Sequence, residues 1–185
     1  AFAAGDHSFA SGIGAVSLGY YTNASGYGSF AAGTNTIASG NNAVALGKST
    51  LANNENSIAF GFGNMAGGAN SIALGQNTNA SGDGSMTGGI NCIAFGSNAL
   101  VWGEGNLASG NKSFAIGENV IASANTSVAM GYNNTASGFS SLAAGAGNTA
   151  SMSGAVALGR ENTAEGQFSV AIGYQTNAGG YTATA

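Results

Sequence analysis

Charge is the first thing that this sequence lacks. Only 5% of its 185 residues are charged, and its three basic side chains, Lys48, Lys112 and Arg160, leave a net charge of −4. A protein that binds nucleic acid needs a basic stripe to neutralise phosphates, and three scattered cations do not form one. The composition therefore argues against a nucleic-acid partner.

Proline is absent, cysteine occurs once, and no long apolar run is present. Cys92 cannot form an internal disulfide, and we expect it to be a buried thiol. A membrane-spanning helix needs about 18 or more apolar residues in a row, so we expect no membrane contact by this segment. No signal-peptide pattern is seen at the start, where a repeat already runs, so we expect a mature or excised part of a longer protein.

Residues that carry catalysis or bind metals are also few. His7 is the only histidine, and because it follows Asp6 in a predicted turn we expect a solvated turn residue rather than part of a catalytic triad. The seven carboxylates are scattered, without the spacing of a calcium loop. We expect no enzyme activity, no catalytic residue, no metal site and no cofactor.

Glycine, in contrast, is abundant and strictly spaced. Steps of seven residues from Gly5 to Gly180 visit 26 positions, and glycine occupies 23 of them. Alanine stands two residues before the marked position in 23 of the 26 cases. Since no linker interrupts this count, we predict a single repeat domain over residues 1–185.

Successive heptads alternate, so the true unit has 14 residues. One half reads like Ser71-Ile72-Ala73-Leu74-Gly75, and the other reads like Asn134-Thr135-Ala136-Ser137-Gly138. Small and large residues that alternate over five positions are typical of a β-strand, and the Gly and Asn between the strands suit tight turns. We predict an all-β parallel solenoid of about thirteen coils, each with two five-residue strands and two two-residue turns, forming a rod roughly 60 Å long.

The large residues of the first half form a stripe that we expect to point away from the coil. If the alanines of both strands point inward, the interior holds only Ala, Ser and Gly, and the coil is thin. The stripe then exceeds the few hundred Å² of apolar surface that a soluble monomer exposes, so we predict a parallel homotrimer around one axis. The alternative is a monomer that buries Val and Leu inside. The predicted oligomer core, hereafter the apolar stripe, comprises Val16, Leu18, Val44, Leu46, Ile58, Phe60, Ile72, Leu74, Leu100, Trp102, Phe114, Ile116, Val128, Met130, Val156, Leu158, Val170 and Ile172.

The repeat resembles the head of YadA-type trimeric autotransporter adhesins, whose motif is Asn-Ser-Val-Ala-Ile-Gly. Residues 70–75 and 56–61 match this motif nearly residue for residue, and the repeat covers essentially the whole chain. The resemblance implies a left-handed parallel β-roll, three chains in register, and the Val and Ile places at the trimer axis. It also implies display on a bacterial surface, anchored in the outer membrane through other segments, and adhesion to host matrix such as collagen or fibronectin. The family's basic neck, coiled-coil stalk and membrane anchor are not seen, and phage and viral fibres contain similar rolls.

The second half of the repeat turns apolar in two stretches, which we name the short-half surface: Ile37, Leu51, Met65, Ile93, Phe95, Leu107 and Ile121. Near the C-terminal end the same places hold Thr and Asn. We favour packing against a neighbouring chain as the role of this surface. Contact with a ligand or another filament is the alternative.

Three functions are compatible with these patterns. The leading hypothesis is an adhesin head that binds extracellular matrix or a cell-surface ligand through repeated strand surfaces. The second is a structural shaft or spike of a surface or viral fibre. The third is ice binding, which ranked Thr would favour, although the ranks here mix Asn, Thr, Ser, Ile and Leu.

Overall fold

A computed structural model describes all 185 residues, and every regular element in it is a β-strand. Long strands, of five residues in all but the first, alternate with short strands of two residues. One long and one short strand make one turn, and residues 14 apart are paired in parallel. The chain is an all-β parallel solenoid of about thirteen turns, which confirms the predicted fold class.

The chain divides into two compact units, and the first is Ala1–Asn91. Its long strands pair side by side in chain order, and so do its short strands. The long strands are β1 (Phe2–Ala4), β3 (Val16–Tyr20), β5 (Phe30–Thr34), β7 (Val44–Lys48), β9 (Ile58–Phe62), β11 (Ile72–Gln76) and β13 (Met86–Ile90). The short strands are β2 (Phe9–Ala10), β4 (Asn23–Ala24), β6 (Ile37–Ala38), β8 (Leu51–Ala52), β10 (Met65–Ala66) and β12 (Asn79–Ala80).

The second unit, Cys92–Ala185, is built in the same way. Its long strands are β15 (Leu100–Glu104), β17 (Phe114–Glu118), β19 (Val128–Tyr132), β21 (Leu142–Ala146), β23 (Val156–Arg160) and β25 (Val170–Tyr174). Its short strands are β14 (Ile93–Ala94), β16 (Leu107–Ala108), β18 (Ile121–Ala122), β20 (Thr135–Ala136), β22 (Thr149–Ala150), β24 (Thr163–Ala164) and β26 (Asn177–Ala178). The prediction of one domain over residues 1–185 stays a prediction.

The core of each unit is made of alanine. In the first unit Ala45 of a long strand and Ala52 of the following short strand are both fully buried, in one cluster with the equivalent alanines of neighbouring coils. The flanking Val44, Leu46 and Leu51 are half-buried and point away from that cluster. The two sheets therefore meet through their alanines and expose their large residues, which confirms the thin coil. The inverted monomer, with Val and Leu inside, is wrong.

The interior also contains residues that the sequence pattern did not place there. The position before each short strand points inward, and in most coils it holds a buried Thr or Asn. The expectation that the interior holds only Ala, Ser and Gly is therefore wrong at this place. Valine is buried there at Val120, and also inside a long strand at Val101.

A ladder of buried asparagines shows what this position does. The amide nitrogen of Asn148 donates to the carbonyls of Ala144 at 2.9 Å and Gly159 at 2.8 Å, and its Oδ1 accepts from the backbone N–H of Asn162 at 3.0 Å. Asn134 and Asn162 make the same set of bonds one coil away. Buried backbone groups need hydrogen-bond partners, and these side-chain amides supply them to the backbone C=O and N–H groups at the corner where the long strand ends. Cys92 is buried at the same place, and its thiol donates to the carbonyl of Gly103 at 3.3 Å.

The second strand of each coil is shorter than predicted. We expected five residues, such as 22–26, but only Asn23–Ala24 form β4. The carbonyl of Ala38 accepts from both Ser25 and Gly26, and the N–H of Ser29 then returns to the carbonyl of Gly26. Because Ser25 and Gly26 share one carbonyl, the regular hydrogen bonding between the short strands ends there. The hydrogen bond from Ser29 to Gly26 closes a tight turn, in which Gly28 has a φ of 62°.

Candidate interaction surfaces

The apolar stripe lies on the outer face of the long strands. In the first unit Leu46 is paired in register with Phe60, and Phe60 with Leu74, so like residues stand in columns. No residue of the stripe is buried, and Phe60 is 54% exposed. Parallel pairing at a 14-residue offset produces these columns, because it brings the same place of each repeat together.

The second unit continues the pattern on its own long strands. Phe114 pairs with Val128, and Ile116 with Met130. Trp102 keeps 45% of its surface exposed, and Ile172 keeps 54%. Apolar side chains this large and this regular on an outer face are unusual for a soluble monomer. The structure places all predicted stripe residues outward, and their role in an oligomer stays a prediction.

The short-half surface lies on the outer face of the short strands. In the first unit Ile37, Leu51 and Met65 stand in one column. In the second unit Ile93, Leu107 and Ile121 do the same, and Phe95 is 53% exposed just after β14. Within each unit the two outer faces lie on opposite sides of the alanine core. The structure brings each group of predicted residues together, and it keeps this surface apart from the apolar stripe.

His7 lies at the surface beside Asp6 and Tyr21. The His7 imidazole lies flat against the Tyr21 ring, with centroids 4.4 Å apart, and its Nδ1 is 2.8 Å from Asp6. Both members of this pair are exposed. No three His, Cys, Asp or Glu side chains come together as a metal site would require.

The fifth residue of the long strands forms a further outer column. In the first unit the Lys48 ammonium lies over the Phe62 ring, 5.6 Å from its centroid. In the second unit the Arg160 guanidinium lies over the Tyr174 ring at 5.7 Å. We name this column the rim. Aligning the sequence every 14 residues, with the position after each glycine included, would have revealed it.

A comparison with known protein families shows to which family this repeat belongs. The family described as "YadA head domain repeat (2 copies)" matches residues 10–36, 38–64, 66–86, 108–134, 122–148, 136–162, 150–176 and 164–185. The chain belongs to the YadA head repeat family. This is a family of adhesin heads and not of enzymes, which supports the expected absence of catalysis without excluding an activity. No curated protein matches the chain.

The placement of this YadA-type head repeat in the structure agrees with the match. The matched segments fall in both compact units and contain both kinds of strand. The structure contains no membrane-spanning helix.

Proposed function

We propose that the chain is the head of a trimeric autotransporter adhesin, in which three copies stand parallel with their apolar stripes on a common axis. The observation that carries this proposal is the stripe itself, an in-register apolar face on the outside of each unit. Burial of apolar surface stabilises by roughly 25 cal/mol per Å², so covering the stripe is a strong drive to associate. A closed rotational assembly covers all three stripes at once.

The proposed head is displayed on a bacterial surface and anchored in the outer membrane through other segments of its protein. Its ligand is host extracellular matrix or a cell-surface molecule. The structure supports binding through surfaces rather than a deep cleft, since both outer faces repeat every 14 residues. Repeated weak contacts along such a face add up to tight attachment when three chains present them together.

The geometry supports ligand contact as the role of the short-half surface. If the stripe lies on the axis, the opposite face of each coil points away from it, because the two sheets meet through their alanines. Ile121 is 38% exposed there, and Phe95 is 53% exposed. The sequence pattern favoured packing of this surface against a neighbouring chain. That role would require a neighbouring chain to contact the face that points away from the trimer axis.

A structural shaft is the second candidate, and one observation favours it for part of the chain. In β20, β22 and β24 the outer place is threonine, and in β26 it is asparagine. This column is uniformly polar, as expected for a face that contacts only water. The second unit would then combine a contact region at Ile93, Leu107 and Ile121 with a spacer region beyond it.

Converting Leu107 and Ile121 to threonine tests the contact surface. Threonine occupies the same place in β20 and β22, so the strands should tolerate it. We expect the double variant to keep the mass and melting temperature of the native assembly, and to bind immobilised collagen or fibronectin at least tenfold more weakly. Thr149→Ser is the matched control on the polar column, and its binding should be unchanged.

The outcomes separate the two roles of the surface. A double variant that loses assembly shows that Leu107 and Ile121 pack against a neighbouring chain, as the sequence pattern favoured. A variant that assembles and binds like the native protein would show that neither role is right. Failure of the native assembly to bind either matrix protein or cultured host cells would contradict the adhesin and favour the shaft.

A further inference from the structure

The rim contains a gap in the second unit. The fifth-place residues of this unit are, in coil order, Glu104, Glu118, Tyr132, Ala146, Arg160 and Tyr174, and the gap lies at Ala146. Since adjacent strands are about 4.8 Å apart, Tyr132 and Arg160 stand about 9.6 Å apart along the stack, with only Ala146 between them. The result is a notch of about 370 Å³, lined by Tyr132, Asn133, Ala146, Gly147, Arg160 and Glu161. This lies within the range of roughly 300 to 1,000 Å³ that is typical of small-molecule sites.

The wall formed by Arg160 and Glu161 is held by an ion pair between these two residues and by contacts with Tyr174 and Gln175. The Arg160 guanidinium lies over the Tyr174 ring, and its Nε donates to Oε1 of Glu161 at 3.0 Å. The other oxygen of Glu161 accepts from the side-chain amide of Gln175 at 2.8 Å. These hydrogen bonds, first that from Gln175 and then that from Arg160, hold the pKa of Glu161 below its ordinary value. One wall therefore presents a pair of opposite charges, and the residues that line the notch carry no net charge.

The opposite wall is formed by an aromatic residue, and the floor between the walls is formed by small residues. The Tyr132 side chain is half exposed, and Asn133 beside it supplies an amide that both donates and accepts. Ala146 and Gly147 leave the floor open to a ligand. An aromatic face on one side and donors and acceptors on the other side suit a ring that is apolar on one face and rich in hydroxyls at its edge.

We propose that this notch binds the ring of a neutral sugar, with one ring face on Tyr132 and the hydroxyls at Arg160, Glu161 and Asn133. An uncharged ligand fits because the Arg160 charge is already balanced by Glu161. A tyrosine or tryptophan side chain from a protein partner fits less well. Such a ring is thinner than a puckered sugar and has at most one polar atom, so it would leave most of the polar wall unpaired. The biological role of this site as a ligand site of a head rests on the proposed function.

The first unit supplies an internal comparison. Its rim repeats the order of an aromatic residue, a smaller residue, a cation and an aromatic residue: Tyr20, Thr34, Lys48 and Phe62. Lys48 lies over Phe62 as Arg160 lies over Tyr174. However, Thr34 and Asn35 stand where the second unit has Ala146 and Gly147. Tyr21 and Ser49 stand where the second unit has Asn133 and Glu161, so the polar groups of the walls and the small floor together distinguish the notch.

The test fills the notch with residues that the repeat already accepts. The pair Gln76–Asn77 occupies the same two places in another coil, and Asn77 has a φ of 52°, close to the 67° of Gly147. The double variant Ala146→Gln/Gly147→Asn should therefore fold and assemble as the native chain does. Thr34→Gln, at the matching place in the first unit, is the control.

The measurement is binding of the methyl glycosides of glucose, galactose, mannose and N-acetylglucosamine to the assembled protein, followed by NMR. We expect at least one of them to bind the native protein and the Thr34→Gln control alike. The double variant should bind that sugar at least tenfold more weakly, with unchanged melting temperature and mass. Tyr132→Ala should weaken it as well, because the ring loses its stacking partner.

Three results would overturn the proposal. The native protein could bind none of the four sugars at millimolar concentration, the double variant could bind a sugar as tightly as the native protein does, or the notch could bind a tyrosine-containing peptide more tightly than any of the sugars. Loss of assembly in the double variant would assign the notch to a side chain of a neighbouring copy. Sugar binding by a chain that proves monomeric would contradict the proposed trimer and leave this inference standing.

Discussion

Replacing Leu74 with aspartate should take the assembly apart. Leu74 lies on the apolar stripe, paired in register with Phe60 on one side and Gly88 on the other. In the proposed trimer one substitution appears three times around the axis, so three carboxylates would meet in an apolar layer. Leaving a buried charge unpaired costs about 3 to 5 kcal/mol, and repulsion between like charges adds to it. We expect chains that no longer trimerise, seen by sedimentation and by a large fall in melting temperature.

Asn79→Asp is the control for this variant, because it introduces the same charge on the opposite face. Asn79 belongs to β12, is half-buried, and uses its Oδ1 to accept from the Ser81 hydroxyl. An aspartate keeps that acceptor, and a surface change of this kind stays within about 0.5 kcal/mol of the native stability. If both variants assemble and melt alike, the two faces have been assigned wrongly.

Gly47→Ala should be strongly destabilising, although it adds only one methyl group. Gly47 has a φ of 114°, which an L-residue rarely adopts, and a Cβ there would collide with the backbone carbonyl of Gly61 in the next coil. Strain of this kind alone costs about 1 to 3 kcal/mol, and the clash must be relieved by separating two coils. We expect a loss of several kcal/mol in chemical unfolding, or no folded product.

The matching substitution Gly63→Asn should be tolerated. Gly63 also has a positive φ, of 66°, but asparagine adopts that conformation at the same place in Asn77 and Asn119. An added Cβ there would crowd only the end of the Asn77 side chain, which can rotate away. If Gly47→Ala unfolds no more easily than Gly63→Asn, the close contact between successive glycines does not limit the spacing of the coils.

The long strands and their faces were predicted well from the sequence, because an alternation of large and small side chains with a period of two can be recognised within five residues. Val44-Ala45-Leu46 alternates between large and small, and in the structure the first and third are half-buried on the outer face while the second is fully buried. The strand is shifted by one residue relative to the prediction, since Lys48 pairs with Phe62 while the small residue before Val44 does not belong to β7.

The short strands were predicted less well for a physical reason. Both halves of the repeat share an Ala two residues before a Gly, so the spacing alone treats them as equal. What separates them is hydrogen bonding: the carbonyl of Ala38 accepts twice and ends the ladder, whereas the long strand continues through Gly47 with positive φ. The place of Asn148 was predicted as the first residue of a five-residue strand, and its hydrogen bonds were not predicted, because its partners are backbone carbonyls that no sequence pattern shows.

Of the candidate surfaces, the sequence identified the residues of both outer faces. It did not identify the notch. The notch depends on three residues at 14-residue intervals, Tyr132, Ala146 and Arg160, and on the hydrogen bond between Arg160 and Glu161. A small residue between two large ones is visible only when the coils are stacked in register.

The mass of the native protein in solution tests the proposed trimer most directly. We predict a single species with three times the 17.7 kDa of the chain, stable on dilution, in sedimentation equilibrium or light scattering. A soluble, folded and monodisperse species of 17.7 kDa would contradict it, because the apolar stripe would then stand in water along every coil.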